Sequence, residues 1–399
     1  MATVLESRPR SLSLPADSPL LREFYERRSH MPGVRALDES DYEGFDRRTL
    51  LYDLALDRAG RTLIGFAPPM VNLAKALLPL TAEARRSEDP GWTSLRLRRL
   101  RRFRHEQLEM ALPRAWGAVE ALEVRLRFAN GLAFEARVER LPLQPVFQQW
   151  STLQKDNPLE WIDDWVTYAR DQGAERVLLY DNGSAYAAGL VEHCSRIPVE
   201  VEVVVIPWDF PYGPPRSHDN NFAQAAQLNH ASRVLGACAW QGFLHLDEYP
   251  VAPGGLERLL RAQPRHRGLL RLDNYLVPAI EGEVKSGQLP RARDFRHRAL
   301  APRGKGHKCF SRPAGLREAR THNGRCRLGY VRRAVPIKEA YFLHFDRLTT
   351  GWKGAPGGDQ PMDPRRHVEE TAVRMHYERD AASRVMETVR AGGSVGDAP

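Results

Sequence analysis

Cysteine is scarce in this sequence and shows no pairing pattern. Four occur in 399 residues (Cys194, Cys238, Cys309 and Cys326), and no two form a CxxC pair. That argues against a disulfide scaffold and leads us to expect a reducing compartment. No stretch approaches the roughly 18 consecutive apolar residues that a membrane span requires. The opening "MATVLESRPRSLSLPADSPLLREFYERR" has no apolar run of signal-peptide length. The expectation is a soluble, cytoplasmic protein. Walker-type loops, GxGxxG, GxSxG and HExxH are also missing, which argues against the chemistries those motifs carry.

What is present is a chain able to bury a sizeable core, with 42% hydrophobic and 9% aromatic residues. Its net charge of +9 suits phosphorylated ligands, polyanions or an anionic membrane surface, or reflects no specific partner at all.

Residues 1–44 read as a loosely structured arm. From 45 to 147 the period is two. "LLYDLALDRAGRTLIGF" (50–66) reads as strand, turn, strand. In "ALEVRLRFANGLAFEARVERL" (121–141), Leu122, Val124, Leu126 and Phe128 alternate with polar residues before Asn130-Gly131 turns the chain. Asn-Gly tolerates the positive φ of a tight hairpin, so this segment is expected to be a small antiparallel β-rich module. Between the hairpins, "RLRRLRRFR" places six arginines in nine residues, Arg96 to Arg104. It reads either as a nucleic-acid or anionic-lipid patch, or as a solvated helical face whose Leu97, Leu100 and Phe103 pack inward.

After 148 the pattern changes. "DNPLEWIDDWVTYARDQG" predicts a helix with Asn157 as cap, Pro158 in the first turn and Gly173 past the end. Ile162, Trp165, Val166 and Ala169 form its apolar stripe. Nearly all-apolar strands at 176–181, 201–208 and 239–246 alternate with helices over 185–195 and 219–235. That is the signature of an α/β domain, a mostly parallel Rossmann-like sheet covered by helices on both faces, spanning 148–350. A charged amphipathic helix is expected over 364–390, within a C-terminal segment 351–399 that ends in a flexible tail.

Open α/β sheets bind ligands beyond the carboxyl ends of their strands. Those ends carry Asp181 and Asn182, then Trp208 and Asp209, then His245, Asp247 and Glu248. Residues i and i+2 of a strand share a face, so His245 and Asp247 point together and could hold a divalent cation under a diphosphate. Trp208, ahead of the loop "DFPYGPP", is a candidate to stack on a base or sugar. Asp247 and Glu248 could instead cap the turn before Pro250. His307, Cys309, His322 and Cys326 offer a competing tetrahedral zinc set.

Taken in order, "YDNGS", "NNFAQAAQLNHA" (220–231), "AWQGFLHLDEY" (239–249), "KCFSRP" (308–313) and His322 resemble glycosyltransferase family 92 and related family-2-like enzymes of GT-A fold. The resemblance covers about 150–350. It implies an inverting, metal-dependent transferase that takes a nucleotide sugar, most often a UDP-sugar, with Mn²⁺ or Mg²⁺ as cofactor. By the same resemblance Asp181, Asn182 and Gln224 belong with the donor. Asp247, with His245 and His322, belongs with the metal, and Lys308 and Arg312 lie beside the diphosphate. His245 stands where the metal motif Asp-x-Asp-Glu has its first Asp, and Ala340-Tyr341 stands where the family has a His-Tyr pair.

The expected reaction is attack by an acceptor hydroxyl, on a glycan, a lipid-linked glycan or a small metabolite, at the anomeric carbon. Arg312 and Lys308 would stabilise the leaving nucleotide, and Asp273 is the candidate base at the end of "LLRLD". Docking to an anionic membrane fits this reading, and no nucleic acid is expected. The alternative is a catalytically degenerate homologue that binds nucleic acid or another polyanion through Arg96–Arg104.

Overall fold

The computed structural model describes residues 1–20, 46, 48–70, 73–102, 104–212, 221–350 and 358–378. An eight-stranded sheet organises the larger part. Its strands are β1 (Thr3–Glu6), β2 (Val146–Gln154), β3 (Arg176–Asp181), β4 (Glu202–Pro207), β5 (Cys238–Phe243), β6 (Arg267–Leu272), β7 (Lys308–Ser311) and β8 (Val331–Ala334), in the spatial order β1-β4-β3-β2-β5-β7-β6-β8. From β1 to β5 every pairing is parallel; β7 runs antiparallel to both β5 and β6.

Side-chain alternation divides the sheet between two cores. Val177, Leu179, Val203 and Val205 face helix α1 (Leu159–Asp171), whose Ile162, Trp165, Val166 and Ala169 are buried against them. Leu178, Tyr180, Val204 and Ile206 face the opposite layer, where Phe222, Ala223, Ala226 and Ala231 of helix α2 (Phe222–Arg233) cover them. With apolar partners on both sides, these strands have no polar face to alternate.

The structure corrects three expectations. The start of the expected arm is an ordered edge strand: β1 pairs in parallel with β4, Thr3 opposite Glu202; residues 21–45 lie outside the described residues. The central strand β2 was not anticipated, because Gln148, Gln149, Ser151 and Thr152 give it the composition of a loop, yet all four are buried. At the C-terminus, the expected helix over 364–390 is replaced at its start by a strand, His367–Glu369, paired with His297–Ala299. Residues 372–378 are helical, and 379–399 lie outside the described residues.

The N-terminal module consists of two four-stranded antiparallel sheets around one apolar core that includes Leu54, Leu63, Leu108, Met110, Val124 and Leu126. The Asn130-Gly131 hairpin joins Ala121–Arg127 to Ala133–Glu139, with Gly131 at φ 87°. The arginine run is a strand, not a helix: Leu97–Arg102 pairs with His105–Ala111. Its alternation sets Arg98 3.1 Å from Glu109, pairs Arg99 with Glu106, and brings Arg102 Nε to 3.4 Å from Gln107 Oε1. Cross-strand pairs of opposite charge therefore engage Arg98 and Arg99 of what read as a binding patch.

The module is fastened to α2. His230 Nε2 lies 2.9 Å from Asp53 Oδ2, and Arg233 Nη1 lies 2.7 Å from Glu109 Oε1.

Candidate active site

A small second sheet assembles the site. Glu248–Val251 runs antiparallel to Tyr341–Phe345, with Glu248 opposite His344, and Asn274–Val277 pairs with the other edge of the same strand. The turn 244–247 leaves β5 at the carboxyl edge of the parallel strands and enters this sheet. That route explains why apolar and acidic residues adjoin: Leu244 and Leu246 pack into the core while His245 and Asp247 face the cleft between the sheets. The cleft has a volume of about 770 Å³ and is lined by His245, Asp247, Glu248, His322, His344 and Asp346, among others.

Glu248 is the buried anchor. Its carboxylate lies 2.9 Å from Lys308 Nζ and accepts the His245 amide hydrogen at 2.8 Å. Both side chains of this ion pair are almost fully buried. Burial alone would raise the Glu248 pKa, but the charges of Lys308 and His245 outweigh it and hold the carboxyl below its ordinary value.

Lys308 Nζ also sits 3.4 Å from both ring nitrogens of His245. Gln224 Nε2 lies 3.0 Å from His245 Nε2, and His245 Nδ1 lies 3.6 Å from Glu248 Oε1. Gln224 is itself oriented by the Tyr212 hydroxyl at 2.9 Å and Asn221 Nδ2 at 2.8 Å, both donating to its Oε1.

Asp247 Oδ2 lies 3.2 Å from His344 Nε2, and His344 Nδ1 lies 3.1 Å from Arg303 Nη1. Burial would lower the His344 pKa, yet the Asp247 charge, its hydrogen bond and Glu248 together raise it.

His322 donates from Nδ1 to the His307 carbonyl at 3.1 Å, which leaves its Nε2 lone pair as an acceptor or ligand. Crowding within the cleft and the charge of Lys308 lower its pKa.

Among the described residues one group could hold a metal: His245, Asp247 and Glu248, with one candidate ligand atom from each, all within 4.8 Å of one another. The carboxylates suit Mn²⁺ or Mg²⁺, and an imidazole among them favours Mn²⁺ of the two. His322 lines the same cleft but is not part of this group. The zinc set is not assembled. His307 Nδ1 pairs with Asp273 at 2.7 Å, His322 is turned to a backbone carbonyl, and the Cys309 thiol is buried and pushed up to about 12. A thiolate ligand requires the opposite shift.

The remaining expected site residues are dispersed. Trp208 is fully buried, its Nε1 donating to the Ala223 carbonyl at 3.0 Å, and its ring packs with Tyr52, Tyr180, Phe210 and His230; it cannot stack on a ligand there. Asn182 is buried as well, donating to the Trp208 and Phe210 carbonyls at 2.7 Å each, and so clips that loop. Asp181 accepts hydrogen bonds from Ser184 N at 3.1 Å and Ser184 Oγ at 2.5 Å, and burial raises its pKa against them.

Arg312 is not brought to the cleft. β7 runs antiparallel to β5, so Lys308 at its start reaches the carboxyl edge while Arg312, just past its end, emerges at the amino edge. There it lies over the Trp240 ring at 4.3 Å and donates to the Arg267 and Gln263 carbonyls. Asp273 is partly exposed, is held by His307, and does not line the cleft. Sequence reasoning missed His344 and Asp346, and knew Arg104 only as part of the arginine run; all three line the cleft. The signal for His344 was a lone imidazole in the otherwise apolar run "YFLHF".

Comparison with known proteins gives the class to which this fold and cleft belong. The model of glycosyltransferase family 92 matches residues 151–381, more than half of the chain, and the protein belongs to that family. No curated protein matches it significantly. Among solved structures it is similar to HddC from Yersinia pseudotuberculosis, at 12% identity and a TM-score of 0.29, covering 49% of this chain and 92% of that one. It is also similar to the bifunctional glycosyltransferase WbbM, at 16% identity and a TM-score of 0.24, covering 35% of this chain and 26% of that one. No helix among the described residues is long and apolar enough to cross a membrane.

Proposed function

We propose that this glycosyltransferase transfers a sugar, with inversion, from a nucleotide-sugar donor, a UDP-sugar in the first instance, to an acceptor hydroxyl on a glycan, a lipid-linked glycan or a small metabolite. The observation that carries the reading is the convergence of His245, Asp247 and Glu248 at the carboxyl edge of the sheet, in a cleft large enough for both substrates.

His245 and Asp247 would hold a divalent cation, Mn²⁺ or Mg²⁺, with His344 bracing Asp247. Bound there, the ion would neutralise charge on the departing nucleotide. Lys308 keeps Glu248 ionised and adds a fixed positive charge behind the site. Gln224 and Glu248 fix the ring of His245 from two sides.

Asp346 replaces Asp273 as candidate base. It lines the cleft, and its carboxylate has no ion pair among the described residues. A carboxylate so placed can accept the acceptor's hydroxyl proton as the bond to the anomeric carbon forms.

Calorimetric titration of UDP, GDP and CDP, with and without Mn²⁺, tests the reading on the wild type and on Asp247→Ala. Metal-dependent binding of one nucleotide, lost in the variant, is expected. No binding of any nucleotide under either condition would refute a donor site.

A further inference from the structure

The family match begins at residue 151, but the cleft wall does not. Arg104 belongs to the N-terminal module, at the corner between Leu97–Arg102 and His105–Ala111, and it lines the cleft together with Asn221, Gln224 and His245. A continuous chain of contacts leads from it to the metal group. Arg104 Nη1 donates to Asn221 Oδ1 at 2.7 Å, Asn221 Nδ2 donates to Gln224 Oε1 at 2.8 Å, and Gln224 Nε2 meets His245 Nε2 at 3.0 Å.

The backbone of this residue is an independent observation. Arg104 sits at φ 61°, in the left-handed region, which is unfavourable for a side-chain-bearing L-residue. Glycine would occupy the corner without that cost. Strain of this kind persists where the surrounding structure enforces it, and it concentrates at functional sites.

The hairpin that turns at this corner is tied to the helix that carries Gln224: Glu109, five residues on from Arg104, pairs with both Arg98 and Arg233, and Arg233 lies on that helix. The cleft it faces contains three carboxylates, Asp247, Glu248 and Asp346, and a diphosphate enters such a site only against facing cations.

We propose that Arg104 is a donor-binding residue: its guanidinium engages the phosphates of the nucleotide sugar, so that the N-terminal module completes the catalytic cleft. This rests on the nucleotide-sugar reading above. Guanidinium suits the role because its planar fork of donors matches two phosphate oxygens.

The test is UDP binding in Mn²⁺, by calorimetry on the full chain, for the wild type, Arg104→Gly, Arg104→Lys, Arg101→Ala and Asp247→Ala. Losing a charge-assisted hydrogen bond should weaken UDP binding about tenfold or more in Arg104→Gly, with partial recovery in Arg104→Lys and none of the effect in Arg101→Ala. Arg104→Gly should melt at or above the wild-type temperature, because glycine relieves the corner, and this separates loss of binding from loss of fold. Wild-type affinity in Arg104→Gly alongside lost affinity in Asp247→Ala would overturn the assignment and leave the donor site standing. Equal losses in Arg104→Gly and Arg101→Ala would reduce the effect to long-range charge and also overturn it. Absence of nucleotide binding by the wild type would remove the donor reading and this inference together.

Discussion

His344 Nε2 lies 3.2 Å from Asp247 Oδ2, although 97 residues separate them in the chain. The contact exists because Tyr341–Phe345 returns antiparallel beside Glu248–Val251, and because the Phe345 amide donates to the Asp247 carbonyl at 2.9 Å. The pair makes a pH-dependent contribution to stability. The His344 pKa is raised above 6.5 in the folded protein, so its stabilisation is fully present below the unfolded value and is lost as pH rises through the folded one. In metal-free protein the stability gap between wild type and His344→Gln should be widest at pH 5.5 and narrow towards pH 8. A gap independent of pH in urea titrations would show that the imidazole charge contributes nothing.

Lys308 and Glu248 form an almost fully buried ion pair at 2.9 Å. Lys308→Met removes one partner and strands the other charge, which should cost about 3–5 kcal/mol in urea unfolding. Adding Glu248→Gln should recover a large part of that loss. If the double variant is as unstable as the single, the cost lies in packing rather than in the uncompensated carboxylate.

Asp346 and Asp273 make opposite predictions. Asp346→Asn should lower turnover by about 10²- to 10⁴-fold with UDP binding retained, the range expected on losing a general base. Asp273→Asn should stay close to wild type. The reverse ranking would return the base to the end of β6.

Trp208 should behave as a core residue. Trp208→Ala is expected to lose about 3–5 kcal/mol of stability through the cavity it leaves. Trp208→Phe, if folded, should bind UDP normally. Selective loss of UDP binding in a stable Trp208→Phe protein would place the indole at the ligand instead.

Arg312 provides a control for strand direction. Because it stands at the amino edge of the sheet, Arg312→Ala should leave UDP affinity within about twofold of wild type. A tenfold loss would mean that the two edges communicate.

Much of the α/β architecture was legible because burial on both faces leaves its trace in composition. The runs Val177–Tyr180 and Val203–Trp208 are apolar throughout, and β3 and β4 occupy Arg176–Asp181 and Glu202–Pro207. The Asn130-Gly131 hairpin was legible for a local reason, since few other dipeptides tolerate that turn. By contrast β2 was hidden: Gln149 takes a hydrogen bond from the buried Arg176, and Ser151 takes one from Gln227. A strand whose polar side chains find such partners loses its apolar signature. The arginine run misled for a related reason. Leu97, Leu100 and Phe103 fit a helical stripe, but the carboxylates that pair with Arg98 and Arg99 lie on the neighbouring strand, and only pairing reveals them.

The sequence by itself determined which residues could meet at the carboxyl edge, because strand periodicity and the ends of apolar runs are local properties. The end of the apolar run placed His245, Asp247 and Glu248 at that edge, although 244–247 form a turn past the end of β5 and the strand alternation expected of His245 and Asp247 does not apply to them. Tertiary structure alone decided their partners. The antiparallel sense of β7 delivered Lys308 to the cleft and carried Arg312 away from it, the return of Tyr341–Phe345 supplied His344 and Asp346, and a strained corner of the other module supplied Arg104. Sheet direction and crossovers depend on packing between segments far apart in the chain, and the spacing within any one segment cannot encode them.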